Sequence, residues 1–162
     1  MKMKFIRYTT LPLLTAALIL AGCATPVGSV KFPGPSEGFA PKQTYAVPQD
    51  KLWNAALSAL DKHRIPAVSA DKASGIIQTD AIEGPSALIA LGMVAAQSTR
   101  YRFNLALRNQ SDTDIKLNIF CKIESTMKGS SGSSQWTDVT SQNAEQARKL
   151  EAWLYEEIEK GL

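Results

Sequence analysis

The side chains in this sequence best suited to act as a nucleophile, a base or a metal ligand are two thiols and one imidazole, at Cys23, Cys121 and His63. Zinc sites need such groups in clusters, and an activated nucleophile needs an adjacent base. The sequence shows no His/Cys cluster, no glycine-rich phosphate loop and no serine nucleophile elbow. It therefore predicts no catalytic constellation, no metal site and no cofactor, and we expect a protein that is not an enzyme.

Cys23 follows an N-terminal segment with three parts. Three basic residues lie within the first seven positions, residues 11–21 form a mostly apolar stretch of eleven, and a glycine precedes the cysteine. This is the layout of a secretory signal. The apolar stretch is too short for a helix that crosses a bilayer, which needs about 20 residues. The sequence therefore predicts a cleaved leader over residues 1–22.

The four residues Leu20-Ala21-Gly22-Cys23 resemble the lipobox of bacterial lipoproteins. The resemblance implies that the Cys23 thiol receives a diacylglycerol and that its freed amine receives a fatty acyl chain such as palmitate. Two or more acyl chains give stable membrane attachment. Ala24, where an Asp would resemble an inner-membrane retention signal, implies the periplasmic face of the outer membrane. The alternatives are an ordinary signal peptide or a buried cysteine near a helix end.

The positive charge of the chain comes from its leader. The chain has 18 basic and 15 acidic residues, and the leader holds three of the basic ones and none of the acidic ones. The mature chain therefore has no basic excess, and we expect no nucleic-acid partner. Lipidation of Cys23 leaves Cys121 alone, which excludes a disulfide within the mature chain. A length of 162 residues indicates one domain.

Residues 23–44 are predicted to be the lipidated cysteine and a flexible linker. The stretch holds four prolines and three glycines with few apolar residues, so it cannot bury enough surface to offset the entropy of ordering. Phe32 and Phe39 are the exceptions. They are either idle or docked on a partner or on the domain, which we place at residues 45–162.

Apolar residues at helical spacing predict two amphipathic helices, from Pro48 to about His63 and from Thr140 or Asn143 toward the C-terminal end. His63 is expected at a surface helix end. The apolar stripes are Leu52, Trp53, Ala56, Leu57 and Leu60 in the first helix, and Ala147, Leu150, Trp153 (or Ala152), Leu154 and Ile158 in the second. Strands are predicted over 43–47, 65–70, 75–82, 100–108 and 115–124, with a further short one over 136–139.

The strands 100–108 and 115–124 alternate between apolar and polar residues, with Phe120 as an apolar residue on the polar face. Two such strands indicate an antiparallel sheet that is covered on one face only. Cys121 falls on the apolar face, so a buried, inert thiol is expected. Arg102, Arg108, Lys116, Phe120 and Lys122 fall on the other face, which is a candidate contact surface. The predicted fold is α+β in the order β-α-β-β-β-β-α, with both helices on one face of the sheet.

This order is similar to the helix-grip domains of BamC-type (NlpB-like) lipoproteins. The resemblance is carried by Leu52-Trp53-Asn54-Ala55-Ala56-Leu57 and by the hairpin pattern Asp71-Lys72-Ala73-Ser74-Gly75-Ile76-Ile77-Gln78-Thr79-Asp80. It implies a helix-grip fold and a place in outer-membrane barrel assembly. BamC-like proteins carry two such domains behind a long unstructured segment, whereas this chain has one domain behind a short linker.

An uncharged apolar run lies between two predicted strands, at residues 86–97. Connections within a sheet are usually short and polar. The run is either a short helix or extended hairpin packed on its own domain, or an exposed loop that contacts a membrane or partner. The candidate contact residues of this loop are Leu88, Ile89, Leu91, Met93 and Val94.

Three functions compete. The first is a non-enzymatic interaction or scaffold module of the cell envelope, held at the membrane by its anchor and bound to an envelope protein. The second is a carrier of a small hydrophobic ligand or lipid, which needs a cavity between the last helix and the sheet. The third, a lipid-modifying hydrolase, is disfavoured because the sequence lacks a nucleophile and base pair.

Overall fold

The computed structural model describes residues 34–84, 87–90, 94–111, 113–128 and 135–162. The predicted leader, Cys23 and Phe32 lie outside these residues, as do Leu91 and Met93 of the candidate contact loop. No helix in the described ranges is long and apolar enough to span a membrane.

The described chain folds as α+β, with an antiparallel sheet contacted by two helices, as predicted. The elements are β1 (Thr44–Tyr45), α1 (Gln49–Lys62), β2 (Ala67–Asp71), β3 (Ile76–Thr79), β4 (Ile82–Glu83), β5 (Ala87–Ala90), β6 (Val94–Asn109), β7 (Ile115–Lys128), β8 (Thr137–Asp138), a 3-10 turn (Ser141–Asn143) and α2 (Ala144–Glu159). The strand order is β1-β7-β6-β3-β2, with β4 and β5 also paired to β6 and β8 to β7.

All the predicted strands differ from the observed ones in their bounds, and the two largest differences lie in the strands predicted over 75–82 and 100–108. The strand predicted over 75–82 is divided: β3 ends at Thr79, just before the Asp80 N–H donates to Pro66 O at 2.8 Å, and pairing with β6 resumes at Ile82 in β4. The strand predicted over 100–108 extends to Val94–Asn109, and its pairing with β7 continues as far as Ala96 opposite Lys128. The described residues of the apolar run, 87–90 and 94–97, therefore lie in paired strands of this sheet.

The hairpin between β2 and β3 forms where the Asp and Gly residues predicted it. The Asp71 carboxylate accepts a hydrogen bond from the Ala73 N–H at 3.0 Å, which closes the turn. Gly75 has a φ of +70°, and a Cβ there would lie 2.2 Å from Leu107 O. Only glycine fits this position, because it needs both left-handed backbone and room beside β6.

The helices and one sheet face form a single core. All five predicted apolar residues of α2 are buried, and of the α1 stripe only Leu57 is partly exposed. The sheet contributes the odd-numbered side chains of β6 and β7. These core residues are Tyr101, Phe103, Leu105, Leu107, Ile115, Leu117, Ile119, Cys121 and Ile123. The alternation thus predicted correctly which face of the sheet is covered.

Side chains from α2 and the turn before it close the outer edge of β7. The Tyr155 hydroxyl accepts from the Ile119 N–H and donates to Leu117 O, at 3.1 and 2.9 Å. The Cys121 N–H donates to Glu151 Oε1 at 2.8 Å, and the Ile123 N–H donates to Thr140 Oγ1 at 3.0 Å. These contacts satisfy backbone groups that an edge strand would otherwise leave open to pairing.

Candidate functional site

Cys121 and His63, the two reactive side chains that the structure describes, both lie in packed surroundings that indicate a structural role. Cys121 is fully buried, and burial together with the Glu151 carboxylate raises the pKa of its thiol to about 12. His63 lies at the C-terminal end of α1, where its ring contacts Trp153 edge-on at 4.7 Å. In the described part of the chain, no group of three His, Cys, Asp or Glu side chains could hold a metal ion.

Glu157 is the centre of a charge cluster that joins the two helices. Lys62 Nζ, His63 Nε2 and Lys160 Nζ each lie 2.7 Å from one of its carboxylate oxygens. The Glu157 side chain is only 7% exposed. Hydrogen bonds from Lys160, and then from Lys62 and His63, lower the pKa of Glu157 to about 2. The cluster explains His63 as a structural residue of the α1–α2 contact.

Unfolding experiments at different pH test this cluster. A carboxyl group with a lowered pKa in the folded state stabilises the fold above its unfolded pKa, and this contribution is lost as the pH falls toward its folded pKa. We expect the free energy of unfolding to fall by about 2 kcal/mol more in the wild type than in Glu157→Gln between pH 5 and pH 2.5. Glu145→Gln, at an exposed ion pair of α2, should keep the wild-type curve. Superimposable curves for the wild type and Glu157→Gln would contradict the assignment.

The face of the sheet opposite the helices is uncovered by any described element. We call it the open sheet face, and we define it by the outward residues of β6 and β7: Arg102, Asn104, Arg108, Lys116, Asn118, Phe120 and Lys122. Phe120 interrupts the polar alternation and is 51% exposed. It lies directly opposite Asn104 on β6, so polar amides surround an exposed aromatic ring.

Glu124 organises the cations at one end of the open sheet face. Its carboxylate contacts Arg100 Nε at 2.7 Å, Lys122 Nζ at 3.0 Å and Arg102 Nε at 3.6 Å. Burial acts to raise the pKa of Glu124, but the hydrogen bonds from Lys122 and Arg100 outweigh it and leave the pKa below its usual value. The Arg100 guanidinium also lies 4.1 Å above the ring centre of Trp136.

Two pairs of cations lie directly opposite each other on neighbouring strands. The register places Arg102 against Lys122 and Arg108 against Lys116. Like charges in such positions destabilise a sheet. Glu124 offsets the first pair, whereas no carboxylate in the described ranges makes an ion pair with Arg108 or Lys116. The repulsion between Arg108 and Lys116 therefore destabilises the sheet, and no carboxylate among the described residues offsets it.

The described backbone of the candidate contact loop lies in two paired strands. Leu88 and Ile89 lie in β5, Val94 begins β6, and the register pairs Leu88 with Ala96 and Ile89 with Ala95. This pairing is the one that a hairpin requires, and the packing of the segment on its own domain stays a prediction. The proposed contact with a membrane or partner stays a prediction.

The space between α2 and the sheet is filled. Leu150, Leu154 and Ile158 are 2% exposed or less, and they pack against equally buried sheet residues. A cleft of about 740 Å³ that is open to solvent lies beside the start of α1, where Ala46, Pro48 and Gln110 line it. A second cleft of about 290 Å³ lies beside the β2–β3 turn.

The second half of the predicted linker packs on the domain. Ser36 donates from its N–H to Glu156 Oε2 at 2.7 Å and from its hydroxyl to Oε1 at 2.5 Å. Phe39 is partly buried against the core, and the Leu117 N–H donates to Gln43 O at 2.8 Å. The structure therefore differs from the prediction of a flexible linker that reaches residue 44. Of the two interpretations of Phe39, docking on the domain is confirmed.

Sequence analysis missed Ser36, Glu156, Glu124 and Trp136. Ser36 and Glu156 are 120 residues apart in the sequence, and no local pattern links them. Glu124 had a weak signal, because it lies two residues from Lys122 on a predicted strand, whereas no local pattern links Trp136 with Arg100. No family model matches this chain, and a search of curated proteins also gave no match.

Proposed function

We propose that this chain is a lipoprotein, anchored through Cys23 in the periplasmic face of the outer membrane, that acts as a non-enzymatic interaction module of the cell envelope. The leader and the lipobox-like residues support the anchor. The BamC-like helix-grip interpretation is supported by two helices that pack on one face of an antiparallel sheet. Outer-membrane assembly is the process that this resemblance suggests.

The open sheet face is the observation that carries the proposal. A sheet that needs only to be soluble can cover its outer face with small polar and charged residues of mixed sign. Here a large aromatic side chain, Phe120, is half exposed between two cross-strand cation pairs. Exposed aromatic and arginine side chains are typical of the centres of protein interfaces. We infer that this face contacts an envelope protein, with the β5–β6 hairpin as a second candidate contact.

The carrier function has less support. A hydrophobic ligand needs an enclosed, mostly apolar cavity. The space beneath α2 is occupied by buried side chains, and the clefts described above are open and lie elsewhere. A carrier would therefore need α2 to move away from the sheet, which would break the two Tyr155 hydrogen bonds to β7.

Site-specific photo-crosslinking tests the proposed contact. A photo-reactive phenylalanine analogue at Phe120, in the lipidated chain within the native envelope, is expected to give one protein adduct of defined mass. The same analogue at Lys51, which is exposed on α1, is the matched control and should give none. Adducts only with lipid at Phe120, or the same products at both positions, would contradict the proposal.

A further inference from the structure

The start of the described chain is fastened to the outer surface of α2. Ser36 uses both its backbone N–H and its hydroxyl to bind the two oxygens of Glu156, and we call this contact the clasp. Lys160 Nζ also contacts Glu156, at 3.1 Å. The hydrogen bonds from Ser36 lower the pKa of Glu156, which keeps this carboxylate charged and able to accept both bonds.

The clasp lies on the side of α2 that faces away from the sheet. Leu154 and Ile158 are fully buried and point into the core. Glu156 is two positions from each of them, which is about 200° around an α-helix at 3.6 residues per turn. From Ser36 the chain continues to Gln43 and β1, which pair with β7 at the sheet edge. Residues 36–45 thus connect the outer surface of the helix layer to the sheet.

We propose that the clasp fixes the point at which the membrane tether leaves the domain, so that the helix layer faces the bilayer and the open sheet face is turned away from it. This inference rests on the proposed anchor at Cys23. It explains how a domain held close to a membrane keeps its contact face free for a periplasmic protein rather than for lipid.

The reach of the tether hardly depends on whether the clasp is formed, so the clasp acts mainly on the point at which the tether leaves the domain. A coil of 13 residues, the separation of Cys23 from Ser36, spans roughly 20 Å. Twenty residues, the separation of Cys23 from Gln43, would span roughly 25 Å, so releasing the clasp changes the reach very little. It changes the exit point from the outer surface of α2 to the edge of the sheet. The clasp therefore controls orientation much more than distance.

Paramagnetic relaxation measures this orientation. The lipidated chain is placed in phosphatidylcholine nanodiscs that contain a small fraction of a gadolinium-chelating lipid, and relaxation of backbone amides is recorded. Amides of α2 such as Lys149 should relax more than about threefold faster than those of Asn118 and Phe120, because a helix layer stands about 10 Å from its sheet. Glu156→Gln, and independently Ser36→Pro, should bring this ratio close to one.

Glu145→Gln makes the same substitution at an exposed ion pair of the same helix, so it should keep the wild-type ratio. Equal relaxation of the two faces in the wild type, or a ratio that neither clasp variant changes, would overturn the proposed orientation. Co-elution of the chain with the discs reports the anchor separately. A chain that does not co-elute would contradict the anchor itself, whereas a chain that co-elutes with equal relaxation on both faces contradicts only the clasp.

Discussion

Cys23→Ser is expected to move the protein completely from the membrane fraction to the soluble fraction. Each buried CH₂ of an acyl chain contributes about 0.8 kcal/mol, and two or more chains make attachment stable. A serine at this position offers no thiol for the diacylglycerol, so the whole of this free energy is lost. Fractionation of envelopes followed by immunoblotting measures the change.

Cys121→Ser is the matched control for this experiment. It removes the other thiol of the chain, which is buried in the core. This variant should lose some stability but stay in the membrane fraction. Membrane retention of Cys23→Ser, or release of Cys121→Ser as folded protein, would contradict the assignment of the anchor.

The same substitution at two phenylalanines should have opposite effects on stability and on binding. Phe103 is fully buried on the helix side of β6, and Phe120 is half exposed on the open sheet face of β7. We expect Phe103→Ala to lower the free energy of unfolding by about 3–5 kcal/mol, since it removes a large side chain from the core and leaves a cavity. Phe120→Ala should change it by only about 0.5 kcal/mol, which is typical of surface positions.

Urea unfolding followed by tryptophan fluorescence gives both values. The effect on partner binding should be the reverse of the effect on stability: Phe120→Ala should lose the partner directly while the protein remains folded. If Phe120→Ala unfolds the protein as readily as Phe103→Ala does, the face opposite the helices is covered by something that the structure does not describe. The concept of an open sheet face would then be wrong.

Hydrophobic periodicity predicted much of the fold. The alternation over 100–108 and 115–124 identified the covered and the open side of the sheet, because successive side chains of a strand point to opposite faces. The apolar stripes of the two helices were predicted because residues three and four apart share one face of a helix. Gly75 was placed correctly because few residues other than glycine adopt a positive φ. These features depend on residues that are close together in the sequence.

The features that sequence analysis missed depend on distant residues. The clasp joins Ser36 to Glu156, and the closure of the β7 edge joins Tyr155 and Glu151 to backbone groups of another element. A backbone N–H has no sequence signature, so no pattern could predict its partner. The apolar run at 86–97 was ambiguous because short apolar segments fit both helix and strand, and pairing with Val94–Gln97 decides between them.

The sequence predicted which residues form the candidate contact surface, but it did not predict which of them lie opposite each other on β6 and β7. Phe120 was noticeable as an apolar residue in a polar position of the alternation. The opposition of Arg108 to Lys116 could not be known, because it depends on the register set by the β6–β7 turn. This register places Arg108 and Lys116, which have no ion-pair partner in the described part of the chain, directly opposite each other and so costs the fold stability.

Mass spectrometry of the N-terminal peptide of the mature protein, taken from native membranes, decides whether Cys23 is lipidated. We expect a peptide that begins at Cys23 and carries the mass of a diacylglyceryl group together with an amide-linked acyl chain. A peptide that retains residues 1–22, or one that begins at Cys23 with a free thiol, would rule out the lipid anchor.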